Sequence, residues 1–482
     1  MSANTEDSCA DPKAGGGGNF DLAVIGAGSA GFSAVIAAAE QGARVALVGH
    51  GTIGGTCVNV GCVPSKTLIR ATEAVHRTKA ASRFAGIGTA GGVEDWRAVI
   101  AQKDELVASL RKSKYQDLLP AYDTVDYIEG RARLTADGGV LVDGEPIEAG
   151  KIVIATGSSP AAPDIAGIDD VPWLDSTAAL ALEQLPDSLL VIGGGYIGCE
   201  LAQMFARAGV AVTIATRSHL LPGAEPEISE ALAGYLRDEG LTVRDGLSYR
   251  RIKRTGGGIA LTVDRAGAEQ TIEAETVLVT TGRRANTEGL GLAAAGVKTM
   301  ANGGIHVDDR MRTSKPGIYA AGDVTGRDQF VYMAAYGARI AAENALNGDN
   351  RRYDNAAMPA VVFTDPQVAQ VGLTEAAARE QGLEVKTSVL PLDYLPRALA
   401  ARDTRGLIKL VAEAGTDRLL GAHILAPEGA DSIQTAALAI RQKLTVNELA
   451  DMIFPYLTTV EGLKLAAQGF EKDVAKLSCC AG

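Results

Sequence analysis

The 482-residue chain is predicted to be an α/β protein with two Rossmann-like dinucleotide-binding domains and a C-terminal α+β domain. Three observations carry this prediction. From Asp21, "DLAVIGAGSAGFSAVIAAAEQGARVALVG" reads as buried strand, glycine turn, alanine-rich helix and second strand. From Ser188, "SLLVIGGGYIGCELAQMFARAGVAVTIATR" repeats that layout. From about Ala357 the pattern changes to short mixed strands and helices through "FTDPQVAQVG". At roughly 150 residues per domain, the length suits about three domains.

The first 19 residues are polar, end in "GGGGN" and are expected to be a flexible leader. No basic region precedes an apolar stretch there, so a secretory signal is not expected and the chain is assigned to the cytoplasm. The uncharged run from Leu22 to Ala39 contains Gly26, Gly28 and Gly31 and stops at Glu40, which favours strand, turn and helix over a membrane span. The second copy places Gly193, Gly195 and Gly198 in the same spacing. Each G-x-G-x-x-G follows an apolar strand and opens a helix, where bare backbone can approach a pyrophosphate at the positive helix end. The strand "TVLVTTG" then turns at Gly282, and "TSKPGIYAAGDV" is a further strand ending in Gly322 and Asp323. The expected boundaries are a leader at 1–19, a first nucleotide domain at 20–158 that resumes at 287–356, a second at 159–286, and the C-terminal domain at 357–482.

A net charge of −12 and a pI near 5.1 repel phosphate backbones and anionic lipids, which argues against nucleic acid or membrane partners. Six cysteines are too few for a disulfide scaffold, and close pairs in a reducing compartment point to redox chemistry or metal binding. Cys57 and Cys62 in "GGTCVNVGCVPSK" are five apart. A regular helix would separate them by roughly 7.5 Å of rise with poor facing, so a bond between them requires a distorted helix start, for which Gly61 and Pro64 provide. Lys66 follows Cys62 by one helical turn and can hold a cation near a thiolate or a reduced flavin. Two buried structural cysteines are the plainer alternative. Cys199 has no partner by spacing and is expected to be a buried small hydrophobe.

Taken together, these residues resemble the flavin-dependent pyridine nucleotide-disulfide oxidoreductases, over about residues 20 to 482. The resemblance implies FAD on the first βαβ unit, NAD(P)H on the second, and a redox pair in which Cys62 is the flavin-side thiol and Cys57 the outer one. It implies Asp323 near the ribityl chain, Tyr196 as the ring that covers the nicotinamide pocket, and Glu200 as the partner of Lys66 near the flavin. It adds Gly51, Gly55, Thr56, Ala132, Gly157, Gly282 and Val331 as cofactor-binding positions, and Lys66 as one of them. It also makes the C-terminal domain a two-fold dimer interface. An acid is expected about 20 residues after each central glycine to hold a ribose hydroxyl. Here those places hold Gly49 and Thr216, the latter followed by Arg217. Loss of the acid and gain of Arg217 favour NADPH over NADH, whereas Gly49 removes an expected FAD contact.

Disulfide reductases of this group finish with His-Pro-Thr-x-x-Glu, the histidine serving as acid and base. The matching stretch is "YLTTVE", with Tyr456 in the histidine place, five residues before Glu461, and no histidine after His423. Without an imidazole, protonating a departing organic thiolate is difficult. The chain closes in "KLSCCAG". Hg(II) prefers two thiolates, and the adjacent Cys479 and Cys480 can capture it and pass it on by ligand exchange. The combination is similar to the branch of the family that uses NADPH to reduce Hg(II) to elemental mercury. That branch implies metal ligands Cys57, Cys62, Cys479 and Cys480, with Tyr456 steadying the metal-thiolate complex. In a homodimer the site would be composite: Cys57, Cys62, Lys66 and Glu200 from one chain, with Tyr456, Cys479 and Cys480 from its partner. An N-terminal metal-binding domain with a Cys-x-x-Cys pair, carried by longer members, is not expected, since the leader has only Cys9. The rivals are a disulfide reductase, thioredoxin-reductase-like or dihydrolipoamide-dehydrogenase-like, and a flavoprotein that sequesters metal or senses redox state without turnover.

Overall fold

The structure, a computed structural model, describes residues 19–476, so Cys9, Cys479 and Cys480 lie outside the described residues. Two compact units divide the chain. The first comprises the chain up to Asn59 with Ser109–Ser159 and Arg284–Tyr353; the second comprises Val60–Ala108, Pro160–Arg283 and the chain from Asp354 onward.

The first unit is built on β1 (Phe20–Ile25), α1 (Ser29–Ala39) and β2 (Val45–Gly49), as the sequence predicts. Its parallel sheet runs, edge to edge, Ile318–Ala320, Ala149–Ile154, β1, β2 and Val125–Glu129, the last being β3. Leu22, Val24, Leu47 and Ile154 are buried, because a parallel sheet covered on both faces needs apolar side chains on both. Truncating Leu22 or Leu47 to alanine would cost about 2–5 kcal/mol. The uncharged run is therefore a strand and a helix, and among the described residues no helix is long and apolar enough to cross a membrane. Next along the chain come α2 (Gly55–Val60) and, in the second unit, α3 (Cys62–Ala80), with Gly61 between them at φ −129° and ψ −110°, outside helical geometry.

In the second unit a parallel sheet has the order Thr242–Arg244, Ala211–Ala215, Ser188–Ile192, Thr276–Val279, Trp173–Leu174. Its fingerprint helix is Tyr196–Ala208. The C-terminal segment contributes an antiparallel sheet in the order Pro359–Val362, Gln367–Gly372, Leu419–Ala426, Leu407–Glu413, Val385–Pro391. Helices at Gly429–Arg441 and Glu461–Gln468 pack their apolar faces on it, giving the mixed character expected after Ala357.

Candidate functional site

The two glycine fingerprints use the same packing. Gly26 and Gly193 adopt φ of +117° and +115°, a region open to glycine, and end their strands in a sharp turn. A Cβ on Gly31 would lie 1.7 Å from the Gly26 carbonyl oxygen, and one on Gly198 would lie 2.1 Å from that of Gly193. Only glycine lets each helix pack so close to its strand. The middle glycines, Gly28 and Gly195, cap the helices with extended backbone and no side-chain cap. Chain neighbours aside, no atom comes within 4 Å of a Cβ built on Gly195, so there is room beside this helix start, whose first N–H groups have no partner within the helix. Both cradles fit a dinucleotide pyrophosphate.

The first unit also holds Gly51, Gly55, Thr56, Cys57, Ala132, Gly157, Asp323 and Val331. Gly54 bridges Gly28, and Gly55 packs against Gly28 so tightly that a Cβ would meet its Cα at 2.6 Å. Ser158 donates to the Asp323 carboxylate at 2.7 Å, Asn286 N–H donates to the Gly157 carbonyl at 2.9 Å, and Val331 begins the helix Val331–Asn347. Gly49 has a steric cause: a Cβ there would lie 2.7 Å from the Ala27 Cβ and 3.2 Å from the Tyr127 hydroxyl. Tyr127, which sequence reasoning missed, stands where an acidic side chain would leave β2. Burial, then the nearby Glu129, raises its phenol pKa.

Cys57 lies on α2 and Cys62 opens α3, both half-buried, and the backbone between them leaves helical geometry at Gly61. In the second unit, Lys66 donates to the Glu200 carboxylate at 2.7 Å and sits 4.8 Å over the Phe363 ring. The other Glu200 oxygen accepts the Phe363 backbone N–H at 2.9 Å. This pair joins α3 to the second fingerprint helix, whose next turns continue the stripe: Gln203 binds both the N–H and the carbonyl of Asp365, and Arg207 its carboxylate. At the start of the same helix the Tyr196 hydroxyl accepts from Gln370 Nε2 at 3.2 Å. Phe363 and Gln370 had no signal in the sequence. Beside this stripe α3 borders a cavity of about 330 Å³, reached by Lys66, His76, Arg207, Phe363, Asp365 and Arg405.

Thr216 is buried under the fingerprint turn, whereas Arg217 is exposed just past the strand Ala211–Ala215, its charge acting on Tyr249. Gly282 takes φ +135° and its carbonyl accepts from Ala161. Tyr456 is exposed in a run with Met452, Ile453 and Leu457. Glu461 is buried, its carboxyl pKa raised by burial, and it accepts the Leu457 backbone N–H at 3.1 Å. Cys199 is fully buried with its thiol against the Gly194 carbonyl, and burial followed by the Glu200 charge pushes its pKa up to about 12. It is the inert small hydrophobe expected.

Residues 20–342 match the family described as "Pyridine nucleotide-disulphide oxidoreductase", and residues 358–467 match the dimerisation domain of that name. The chain belongs to the pyridine nucleotide-disulphide oxidoreductases. Among curated members of this family it is 50% identical over 471 residues to a mercuric reductase of Streptomyces lividans, covering 96% of this chain and 98% of that protein. It is 48% identical to a mercuric reductase of Staphylococcus aureus, covering 96% of this chain and 85% of that protein. Among solved structures of the family's architecture, the HOCl-induced flavoprotein disulfide reductase RclA of Escherichia coli superposes with a TM-score of 0.82 at 32% identity, covering 93% of this chain and 99% of that one. LpdA of Mycobacterium tuberculosis gives 0.83 at 28%, covering 94% and 100%.

Proposed function

We propose that this family member is an NADPH-dependent flavoprotein that reduces Hg(II) to elemental mercury in the cytoplasm, acting as a homodimer. The observation that carries the reading is its likeness, at 50% identity, to a mercuric reductase over nearly the whole of both chains. The overall change balances as NADPH plus Hg(II) giving NADP⁺, H⁺ and Hg(0). Bound FAD would supply the two-electron relay between nicotinamide and metal.

The chain's own residues have the following parts. Gly26, Gly28 and Gly31, with Asp323, Ser158 and Gly157, would hold FAD; Gly193, Gly195 and Gly198 would hold the pyrophosphate of NADPH. Arg217 would bind the 2′-phosphate by a charge-assisted hydrogen bond, with Thr216 offering no carboxylate to repel it. Cys57 and Cys62, as thiolates, would take Hg(II) from a thiol complex by exchange, each incoming Cys thiolate releasing one organic thiolate. Once the metal accepts two electrons, both Hg–S bonds break and both cysteines remain as thiolates. Lys66, held by Glu200, keeps a cation one turn from Cys62, where it stabilises the thiolate. Cys479 and Cys480, outside the described residues, would deliver the metal.

Support for the dimer comes from the apolar run around Tyr456, where Ile453 is 99% exposed within the span matched by the dimerisation domain. Mercury is favoured over an organic disulfide because Tyr456, whose phenol is a poor proton donor near neutrality, stands in the acid-base place. The test is NADPH oxidation with thiol-complexed Hg(II) beside oxidised glutathione, lipoamide and thioredoxin. Turnover with Hg(II) alone and release of volatile mercury are expected; turnover with a disulfide and none with Hg(II) would overturn the assignment.

A further inference from the structure

We infer that Gln370 latches Tyr196 over the nicotinamide position and so sets the affinity for the pyridine nucleotide. The inference rests on the reading of Tyr196 as the cover of that position. Tyr196 is the first residue of the fingerprint helix, directly after Gly195, beside which a Cβ would meet no atom within 4 Å other than its chain neighbours. A dinucleotide crossing Gly193–Gly198 therefore passes this ring, which must turn aside for a nicotinamide to be seated. What opposes that movement is visible. The Tyr196 hydroxyl accepts from Gln370 Nε2 at 3.2 Å, across 174 residues of sequence.

Gln370 is a rigid anchor. It belongs to the strand Gln367–Gly372, paired on one side with Pro359–Val362, where it faces Ala360, and on the other with Leu419–Ala426, where it faces His423. The strand cannot follow the ring outward without breaking two ladders. The fingerprint helix is held just as firmly, through Glu200 to Phe363 and through Gln203 and Arg207 to Asp365. With both backbones fixed, the tyrosine side chain is the part that moves, and its hydrogen bond is lost on opening. Burial raises the Tyr196 pKa, which favours the neutral phenol.

The energetic consequence has a definite sign. A bond present only in the covered state lowers the fraction competent to bind, and apparent affinity falls with that fraction. Removing Gln370 as a donor should tighten nucleotide binding, against the usual result of deleting a polar residue near a site. One hydrogen bond of ordinary strength corresponds to about a threefold to tenfold change.

The experiment measures NADP⁺ binding to the oxidised flavin-loaded protein by titration calorimetry. Wild type is compared with Gln370→Met, which keeps the volume and removes the amide, with Tyr196→Phe, and with the double variant. The Kd should fall about threefold to tenfold in each single variant, and the double variant should show no further gain, because both changes remove one bond. A structural role for Gln370 would weaken binding, and independent roles would multiply. Either result, or an unchanged Kd in both single variants, overturns the latch. If Gln370→Met does not purify as a folded protein, Tyr196→Phe alone decides by the same criterion. Wild-type protein that binds no NADP⁺ would instead sink the nucleotide reading, and the latch with it.

Discussion

Replacing Glu200 with leucine should release the loop that carries Phe363, and the size of the effect follows from the geometry. Glu200 is 7% exposed at its side chain and Lys66 33%, with 2.7 Å between ammonium and carboxylate. At an effective dielectric of about 20 their gross attraction is on the order of 4–6 kcal/mol. Desolvation of the carboxylate and solvent around the lysine reduce the net value to about 1–2 kcal/mol. The second Glu200 oxygen accepts the Phe363 N–H at 2.9 Å, a hydrogen bond to a charged acceptor worth about 1.5–3 kcal/mol. Glu200→Leu removes that acceptor, so the Phe363 amide should exchange about tenfold to 100-fold faster in native-state hydrogen exchange. Lys66→Met keeps the acceptor but removes the cation over the Phe363 ring, and should accelerate exchange only about threefold to tenfold. The Asp365 amide, held by Gln203 at 2.8 Å, is the internal reference and should change less. Unchanged exchange at Phe363 in Glu200→Leu, or equal acceleration of both amides, would refute the reasoning.

Three further outcomes are expected. Arg217→Glu should lower kcat/KM for NADPH about 100-fold while leaving NADH within about threefold, since it replaces one guanidinium-phosphate contact by a repulsion; steady-state kinetics with both coenzymes check this. Tyr456→His should impair mercury turnover without creating an efficient disulfide reductase, because Glu461 is already engaged by the Leu457 N–H and the pocket is unchanged; full glutathione or lipoamide reductase activity would count against this. Cys199, with its pKa at about 12 and no solvent exposure, carries almost no thiolate at pH 8. Mass spectrometry should find it unmodified by iodoacetamide in the native protein and alkylated after unfolding.

Much of the fold was legible because its signals are local. A glycine turn between an apolar strand and an alanine-rich helix is written within about thirty contiguous residues, and the close packing of Gly31 on Gly26 and of Gly198 on Gly193 realises the spacing in both copies. The helix break between Cys57 and Cys62 falls at Gly61, one of the two residues that the sequence marked as able to distort a helix start there. The family resemblance added Lys66 with Glu200, which the structure joins across 134 residues.

The sequence by itself thus determined the two glycine turns with their strands and helices, and the mixed strands and helices of the C-terminal segment, because dihedral preference and hydrophobic period act between neighbours along the chain. Tertiary structure decided the supports. Phe363 meets Glu200 across 163 residues and Gln370 meets Tyr196 across 174, in pairings that depend on which strand and helix come to lie side by side. It also explains the glycine at position 49, where an acid was expected: Ala27 and the Tyr127 hydroxyl occupy the space, a packing constraint that only the assembled sheet creates.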